Sequence, residues 1–589
     1  MKELYTLKRF FIKYKTRLLL GALFVTVANL FGIIPAKLIR EAVDSVAFYQ
    51  ASEKTITDTL QKENLSKHLL LLTALIILFT LLKGVFMFLM RQTLIVMSRW
   101  IEFDQKNEIY NHYQKLGNRF YHSESTGDMV NRISEDVSRV RMFTGPAIMY
   151  SVNLTVMFIM VIAAMIQVNA RLALFVAVPL PLMSLLIYYI HEIIHRKSEL
   201  VQIKLSGIAT LVQEYFSGVR ILKSFSGEAQ AIRMMNTSAE DYKTHSAELN
   251  RVNALFMPLL FLLIGLSIIL TVYVGGMEVM AGRATVGNLA EFVVYVNMLT
   301  WPVASLGWVV SLVQRAAASQ KRINEFLLFT PDIIPGNDFM ESFNGHIEFK
   351  QVSYQYPGTE VHALENISFD LKPGKTLGIT GMTGSGKSTL AMLLLRQDDV
   401  NRGEIFIDGR NLKNIHLQQY RSFTGYVPQD AFLFSDTIMA NIRFGAAEAD
   451  DDSVMEAARL AEVHHEIVQF AQGYETVIGE RGITLSGGQK QRIAMARAFL
   501  RKPSLLILDD CLSAVDANTE KAILKNIKRI SAGVTAIIIS HKLSAIQHAD
   551  EIIVMDHGKI AEKGKHYDLI KAGGIYAGIH QLQQMEVFA

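Results

Sequence analysis

Cysteine is almost absent from this chain. The single thiol, Cys511, excludes an intrachain disulfide framework and a cysteine-based zinc site. An excess of one charge is missing too. There are 59 Lys and Arg against 55 Asp and Glu, a net charge of +4, and no long basic stripe. Nothing here argues for nucleic acid, and no nucleic-acid partner is expected. The sequence has no internal repeat and no low-complexity tract. The first apolar stretch is longer than a signal-peptide core and is followed by no small-residue cleavage site. A retained membrane anchor is therefore expected there.

What the chain has in quantity is apolar sequence. Half of its 589 residues are hydrophobic, and the length exceeds what one core accommodates, so two or more domains are expected. The apolar stretches dominate up to about residue 312 and then stop. Six of them, at about 18–39, 69–90, 146–168, 172–190, 254–275 and 289–313, are long enough to cross a bilayer, which takes ~20 residues. A lipid bilayer is the implied partner, and an even number of spans returns the chain to the side where it began. The segments after the second and fourth spans are long and charged, with Arg91, Arg99, Lys106, Arg119, Arg132, Arg139, Arg196, Lys197, Lys204, Arg220 and Lys223 among them. Six Lys or Arg also lie between Met1 and Arg17. Both features put the N-terminus and these segments on the cytoplasmic side.

Apolar residues recur at helical spacing in 128–142 and 208–222. The spans are thus expected to continue far into the cytoplasm and to turn back at short connectors near 121–127 and 215–219. A soluble domain inserted at each place is the other reading. Within the spans, Asn29, Lys83, Asn153, Asn297, Thr300, Trp301 and Trp308 are candidates for a translocation path, with Met87, Met90, Met157, Met160 and Met298 nearby. Interhelical hydrogen bonding and ordinary packing explain the same residues. Pro302 is expected to kink the sixth span.

Residues 1–328 therefore read as a membrane domain. Residues 329–345, with Pro331, Pro335, Gly336 and Gly345, read as a linker. Residues 346–589 alternate β-rich runs (346–350, 504–508, 535–539, 551–555) with helical patterns, as in a soluble α/β domain. The acidic run 448–452 reads as a solvated helix start.

The chemistry-bearing element lies in this second half. The apolar run 376–380 leads into Gly381-Met382-Thr383-Gly384-Ser385-Gly386-Lys387-Ser388-Thr389. The glycines let successive backbone N–H groups turn onto a polyphosphate, Lys387 can reach the β- and γ-phosphates, and Ser388 can hold Mg²⁺. The helical pattern that follows would point its N-terminus at the anion. The chain is expected to bind ATP or GTP. Downstream, the buried run 505–508 ends in Asp509-Asp510. An acid at such a strand end can hold Mg²⁺ opposite Ser388, and a helix cap is the plainer reading of one Asp alone. Cys511 reads as a packing residue with no activating partner in sequence.

Between these two elements stands Leu485-Ser486-Gly487-Gly488-Gln489-Lys490-Gln491-Arg492. This octet closely resembles the signature sequence of ABC transporters, and other elements follow in that family's order. The resemblance implies a six-span α-helical transmembrane domain with long cytoplasmic extensions, followed by an α/β P-loop ATPase domain of ABC type. It implies ATP as the nucleotide, with Tyr356 stacking on adenine and Gln429 sensing Mg²⁺. It makes Ser513 to Asp516 the loop that crosses the dimer interface and His541 the switch histidine. It assigns Glu480 to Gly482 to contact with the intracellular helices. Leu485 to Gln489 would meet the γ-phosphate held by a second half-transporter, so one chain holds half of each of two sites. The short connectors would dock on nucleotide domains, and their closure would swing the bundle outward, as in an exporter.

One residue departs from the family pattern. Asp510 stands where most members have the Glu that orients or deprotonates the attacking water. A misplacement on the order of 1 Å can cost ~100-fold in rate. The run 509–516 resembles the degenerate-site subunit of heterodimeric bacterial multidrug exporters. That implies a different half-transporter as partner and a small amphipathic substrate. A homodimer in which Asp510 serves, aided by His541, is the rival. A lipid-linked substrate, or a channel or regulator on the same fold, are the alternatives for function.

Overall fold

The computed structural model describes residues 2–52, 59–479, 485–530 and 533–588. They form two compact units. One comprises 1–114 with 126–329, and the other 115–125 with 330–589.

The first unit is all helix. Its main helices are Lys15–Ser52, Thr59–Tyr113, Ile148–Val168, Pro179–Ser217, Glu228–Met280 and Val286–Leu327. Thr59–Tyr113 alone has 55 residues, roughly 80 Å at 1.5 Å per residue. That is more than twice a ~30 Å hydrocarbon core, so the helix runs on past the apolar span. The segments after the second and fourth spans are helical throughout apart from short turns, which excludes an inserted soluble domain.

Among the described residues, five helices are long and apolar enough to cross a membrane. The fourth expected span, 172–190, is not one helix. It is divided between Ala170–Ala177 and Pro179–Ser217, with the junction at Val178. Pro179 brings no backbone N–H to the helical ladder, and apolar length alone does not register this. Pro302, by contrast, lies inside Val286–Leu327 without ending it. The second connector also differs from expectation. The helix continues to Ser217 and breaks at Gly218, a short helix Val219–Ser224 follows, and the chain turns at 225–227. The first connector holds the short helix Asn118–Ser123.

Residues 126–168 are helical but not uniformly α. Arg132–Asp136 and Phe143–Ala147 are π-helical stretches. Helical periodicity in 128–142 buries Val137 and Val140, and Asp136 pairs with Arg322. The bundle core gathers Ile33, Val161, Met165, Leu172, Val176, Phe292, Tyr295 and Leu299. Asn29 Nδ2 donates to Asn153 Oδ1 at 3.0 Å. Asn297 and Thr300 instead donate to carbonyls of their own helix, at Val293 (2.8 Å) and Val296 (3.0 Å). The side chain of Trp301 lies outside what is described.

The second unit carries two sheets. Strands β1 (Ile347–Gln355), β2 (His362–Leu371), β4 (Arg402–Ile407) and β5 (Arg410–Asn411) form an antiparallel sheet in the order β2-β1-β4-β5. Strands β3 (Thr376–Gly381), β6 (Thr424–Val427), β7 (Leu505–Asp509), β8 (Thr535–Ile539), β9 (Glu551–Asp556) and β10 (Lys559–Gly564) form the other, ordered β10-β9-β3-β8-β7-β6. Its four pairings from β9 to β6 are parallel, and β10 is antiparallel to β9. Strands β7 and β8 are buried at every position. Apolar runs without alternation suit a parallel strand covered on both faces. Residues 330–345 pack on this unit, with Met340 and Phe343 buried and Arg396 Nη2 donating to the Ile334 carbonyl at 3.0 Å. Asp450, in the acidic run, caps the helix Asp451–Leu460 by accepting from the Ser453 N–H at 3.0 Å.

Candidate functional site

The cradle forms where β3 ends and the helix Lys387–Leu394 begins. Gly381, Gly384 and Gly386 all have positive φ, at 143°, 81° and 97°. A Cβ on Gly381 would meet the Met555 carbonyl oxygen at 2.1 Å, and one on Gly386 the Ala363 carbonyl oxygen at 2.4 Å. Only glycine fits these two positions. Lys387 Nζ donates to the carbonyls of Gly381 (2.9 Å) and Met382 (2.7 Å) and approaches Ser385 Oγ at 3.4 Å. The ammonium is thereby held across the mouth of its own loop.

Parallel pairing of the central strands brings the carboxylates to this point. Ser388 Oγ donates to Asp509 Oδ1 at 3.0 Å. Asp510 has a φ of 47°, its N–H donates to the Ile539 carbonyl at 2.8 Å, and its Oδ1 lies 2.7 Å from His541 Nδ1. On the other side, Tyr356 and Thr389 share a hydrogen bond of 3.0 Å between hydroxyls, and Tyr354 packs edge-on against Tyr356 at 5.2 Å between ring centroids. Tyr356, Gly381, Thr383, Gly384, Gly386, Lys387, Ser388, Thr389, Gln429, Asp509, Asp510 and His541 line one cavity of about 700 Å³. Met382 and Ser385 belong to the loop without lining the cavity; Met382 is exposed and Ser385 is buried. Val361 to Ala363, His557 and Gly558 also line the cavity, although nothing in the sequence marks them as site residues. They carry no motif, and only the sheet pairing brings them there.

The electrostatics fit a polyphosphate and a divalent cation. Burial pushes the Lys387 ammonium below its ordinary value, against the pull of Asp510 and Asp509. Burial likewise pushes the Asp509 carboxyl up, partly offset by the Ser388 hydrogen bond. An anion beside the lysine and a cation beside Ser388 and Asp509 would each reverse these shifts. Cys511 is fully buried and its thiol is raised to about 12 by that burial, which suits a packing role.

Leu485 to Gln489 do not line this cavity. Ser486 caps the helix Gly487–Leu500. Its Oγ accepts from the Gln489 N–H at 3.2 Å, and Gln489 Oε1 accepts from the Ser486 N–H at 2.9 Å. Gln489 Nε2 also donates to Glu466 at 2.8 Å, and Glu466 pairs with Arg492 at 2.7 Å. Gln491 Nε2 reaches Ser513 Oγ at 3.2 Å, tying this helix to the 513–516 loop. The end of the helix thus presents Ser486 and Gly487 outward. Glu480 to Gly482 lie outside the described residues.

Asn118–Ser123 falls in the compact unit that holds this site. Arg119 meets Asp332 at 3.7 Å and Asp398 at 3.6 Å. Asp398 in turn accepts from the Tyr354 hydroxyl at 2.7 Å.

Comparison with known proteins agrees with this geometry. Residues 18–303 match the family model for the ABC transporter transmembrane region, and 364–513 match the model described as ABC transporter. The chain is 35% identical over 566 residues to the multidrug resistance-like ATP-binding protein MdlA of Escherichia coli K12, covering 96% of this chain and 94% of that protein. It is 33% identical over 489 residues to an ATP-dependent lipid A-core flippase of Aromatoleum aromaticum, covering 82% and 80%. The structure of a bacterial Atm1-family ABC exporter with ATP bound matches with a TM-score of 0.77 at 25% identity, covering 98% of this chain and 99% of that one. Half-transporters of this architecture work as dimers in a lipid bilayer, with their nucleotide domains in the cytoplasm. The helical unit, the P-loop cavity and these full-length likenesses meet in one conclusion: the chain belongs to the ABC transporter family, as a membrane-bound half-transporter that couples ATP hydrolysis to export.

Proposed function

We propose that this half-transporter exports small amphipathic molecules of multidrug type by alternating access, that it pairs with a different half-transporter, and that its own ATP site turns over slowly. Its membrane domain is 1–328 and its nucleotide domain 346–589. Tyr356 stacks on adenine, Gly381 to Thr389 cradle the phosphates, and Leu485 to Gln489 close over the nucleotide of the partner. Ser388, Asp509 and Gln429 would hold Mg²⁺, which when bound neutralises charge on the β- and γ-phosphates. His541 and Asp510 position the attacking water.

The observation that carries the slow-site reading is the contact between Asp510 and His541 at 2.7 Å. It ties a carboxylate already one methylene short of glutamate to its neighbour, on a backbone pinned to Ile539. A glutamate's extra methylene would let the carboxylate reach past this contact to an attacking water. Turnover by the purified chain alone tests this. The wild type should be slow, and Asp510→Glu should raise kcat by up to ~100-fold with little change in KM, since the cradle is untouched. Fast wild-type turnover with no stimulation by Asp510→Glu would favour a homodimer with a working Asp510.

A lipid or lipid-linked substrate is the second reading, motivated by the flippase likeness. ATP-dependent movement of a fluorescent phospholipid between leaflets of reconstituted vesicles, compared with uptake of an amphipathic dye, separates the two.

A further inference from the structure

The first unit holds a cavity of about 520 Å³ that ATP hydrolysis does not need. Arg91, Gln92, Met142, Met149, Tyr150 and Trp308 line it. Arg91 follows the second apolar span, Met149 and Tyr150 open the third, and Trp308 nears the end of the sixth. The cavity therefore lies at the cytoplasmic end of the spans. Arg91 makes no hydrogen bond or ion pair among the described residues. Of the arginines that follow it toward the third span, Arg99 and Arg141 pair with Glu102 and Arg139 with Glu135, and Arg322 after the sixth pairs with Asp136. Arg17, by contrast, stacks on Trp100, and Arg315 bonds only Ser311 among the described residues. An unpaired guanidinium at the cytoplasmic rim of the spans, beside an apolar wall, suits an anion.

The wall opposite suits a flat apolar body. Tyr150 and Trp308 meet edge-on, with centroids 5.3 Å apart and planes at 79°, so each leaves a ring face open. Met142 and Met149 can adapt to varied shapes. The backbone behind them is fixed and irregular. Phe143–Ala147 is π-helical, a local geometry that recurs at functional sites. Gly145 within it seats against Ser98, where a Cβ would lie 2.5 Å from the hydroxyl oxygen. Met142 and Tyr150 pack on Ala147, Val309 and Leu312.

The geometry points to a substrate site for amphipathic anions: a flat aromatic body against Tyr150 and Trp308, its sulfonate, carboxylate or phosphate on Arg91. This rests on the export reading above and narrows its substrate class. A soluble amphipathic anion and the headgroup of an anionic lipid share that chemistry.

The test is binding to the full chain in phosphatidylcholine nanodiscs. The probes are 8-anilinonaphthalene-1-sulfonate and N-phenyl-1-naphthylamine, which share one aromatic skeleton with and without the anion. Binding is read by quenching of Trp308 in a Trp100→Phe, Trp301→Phe background, with empty nanodiscs as the blank. The sulfonate should bind at least ~10-fold tighter than the amine. Arg91→Gln should abolish that preference, and Arg91→Lys should keep part of it, which separates lost charge from lost fold. Tyr150→Ala should weaken both probes. Adding phosphatidylglycerol at a third of the lipid distinguishes the sources: competition with the sulfonate identifies the lipid headgroup, and its absence a soluble anion. Equal affinity of the two probes for the wild type, or a preference that survives Arg91→Gln, overturns the inference. If ATP drives dye transport without the sulfonate preference, only this inference fails. If the preference is present and no dye is transported, the export reading fails instead.

Discussion

Gly487 and Gly488 are adjacent in sequence and opposite in environment, and they separate packing from function. A Cβ on Gly488 would lie 2.7 Å from the Ala514 carbonyl oxygen, a backbone atom that cannot swing away. A Cβ on Gly487 would meet only the Ala514 Cβ, at an ordinary 3.6 Å. Gly488→Ala is thus an overpacking change, costing about 1–3 kcal/mol. For a unit of this size each kcal/mol moves the melting temperature by roughly 2–4 °C, so a fall of about 2–12 °C is expected. Gly487→Ala should melt within a few degrees of wild type, because a methyl there has room and a helix prefers alanine by up to ~1 kcal/mol. Gly487→Trp projects from an exposed position with no close contact at its Cβ, and on the proposed function it fills the surface offered to the partner's nucleotide. ATP turnover of the assembled transporter should then fall ~100-fold or more, while the chain's own cradle still binds ATP. The assays are thermal unfolding of the purified chain, nucleotide binding by the same sample, and ATPase of the transporter isolated from its membrane. Wild-type turnover with Gly487→Trp would refute the shared-seam reading. An unmoved melting temperature with Gly488→Ala would refute the packing argument.

Arg119→Glu puts three acids together at Arg119, Asp332 and Asp398. It should leave stability within ~1 kcal/mol, because the arginine is half exposed, while abolishing stimulation of ATPase by transported substrate. Cys511 should resist a thiol reagent in the folded chain and react on denaturation, as its burial requires; rapid labelling of native protein would contradict the packing around β7. Burial, together with His580 and His548, holds His566 below its ordinary value of 6.5. Its neutral form is favoured by folding, so the stability it contributes is present above pH 6.5 and is lost as pH falls through the lower folded value. Melting followed from pH 7.5 to 5 should decline, and His566→Gln should flatten that decline.

How much of this was legible beforehand depended on how local the signal was. Strand, loop and helix of the cradle are contiguous from Thr376 to Leu394, so turn glycines, lysine and helix start all lie within one short stretch. Ser486 with Gln489 is likewise a local capping pair, and helical spacing exposed the cytoplasmic extensions. The division of the fourth span lay in view at Pro179, but a count of apolar length gives a proline no weight. The π-helical stretches at Arg132–Asp136 and Phe143–Ala147 leave no periodicity distinct from an α-helix over five residues.

Membership in a nucleotide-driven membrane machine was therefore set by the primary chain alone, because a phosphate cradle needs neighbouring backbone N–H groups and a bilayer needs uninterrupted apolar length. Which distant residues share a site was decided only by tertiary structure. Parallel pairing of β3, β8 and β7 carries Asp509 to within 3.0 Å of Ser388 across 121 positions. The same sheet brings His541 to Asp510 and places His557 and Gly558 in the cavity wall. Folding also grouped Asn118–Ser123 with the nucleotide unit and gathered Arg91, Tyr150 and Trp308 around one cavity. No spacing rule foretells such meetings, since they arise from the register of strands and helices that are far apart along the chain.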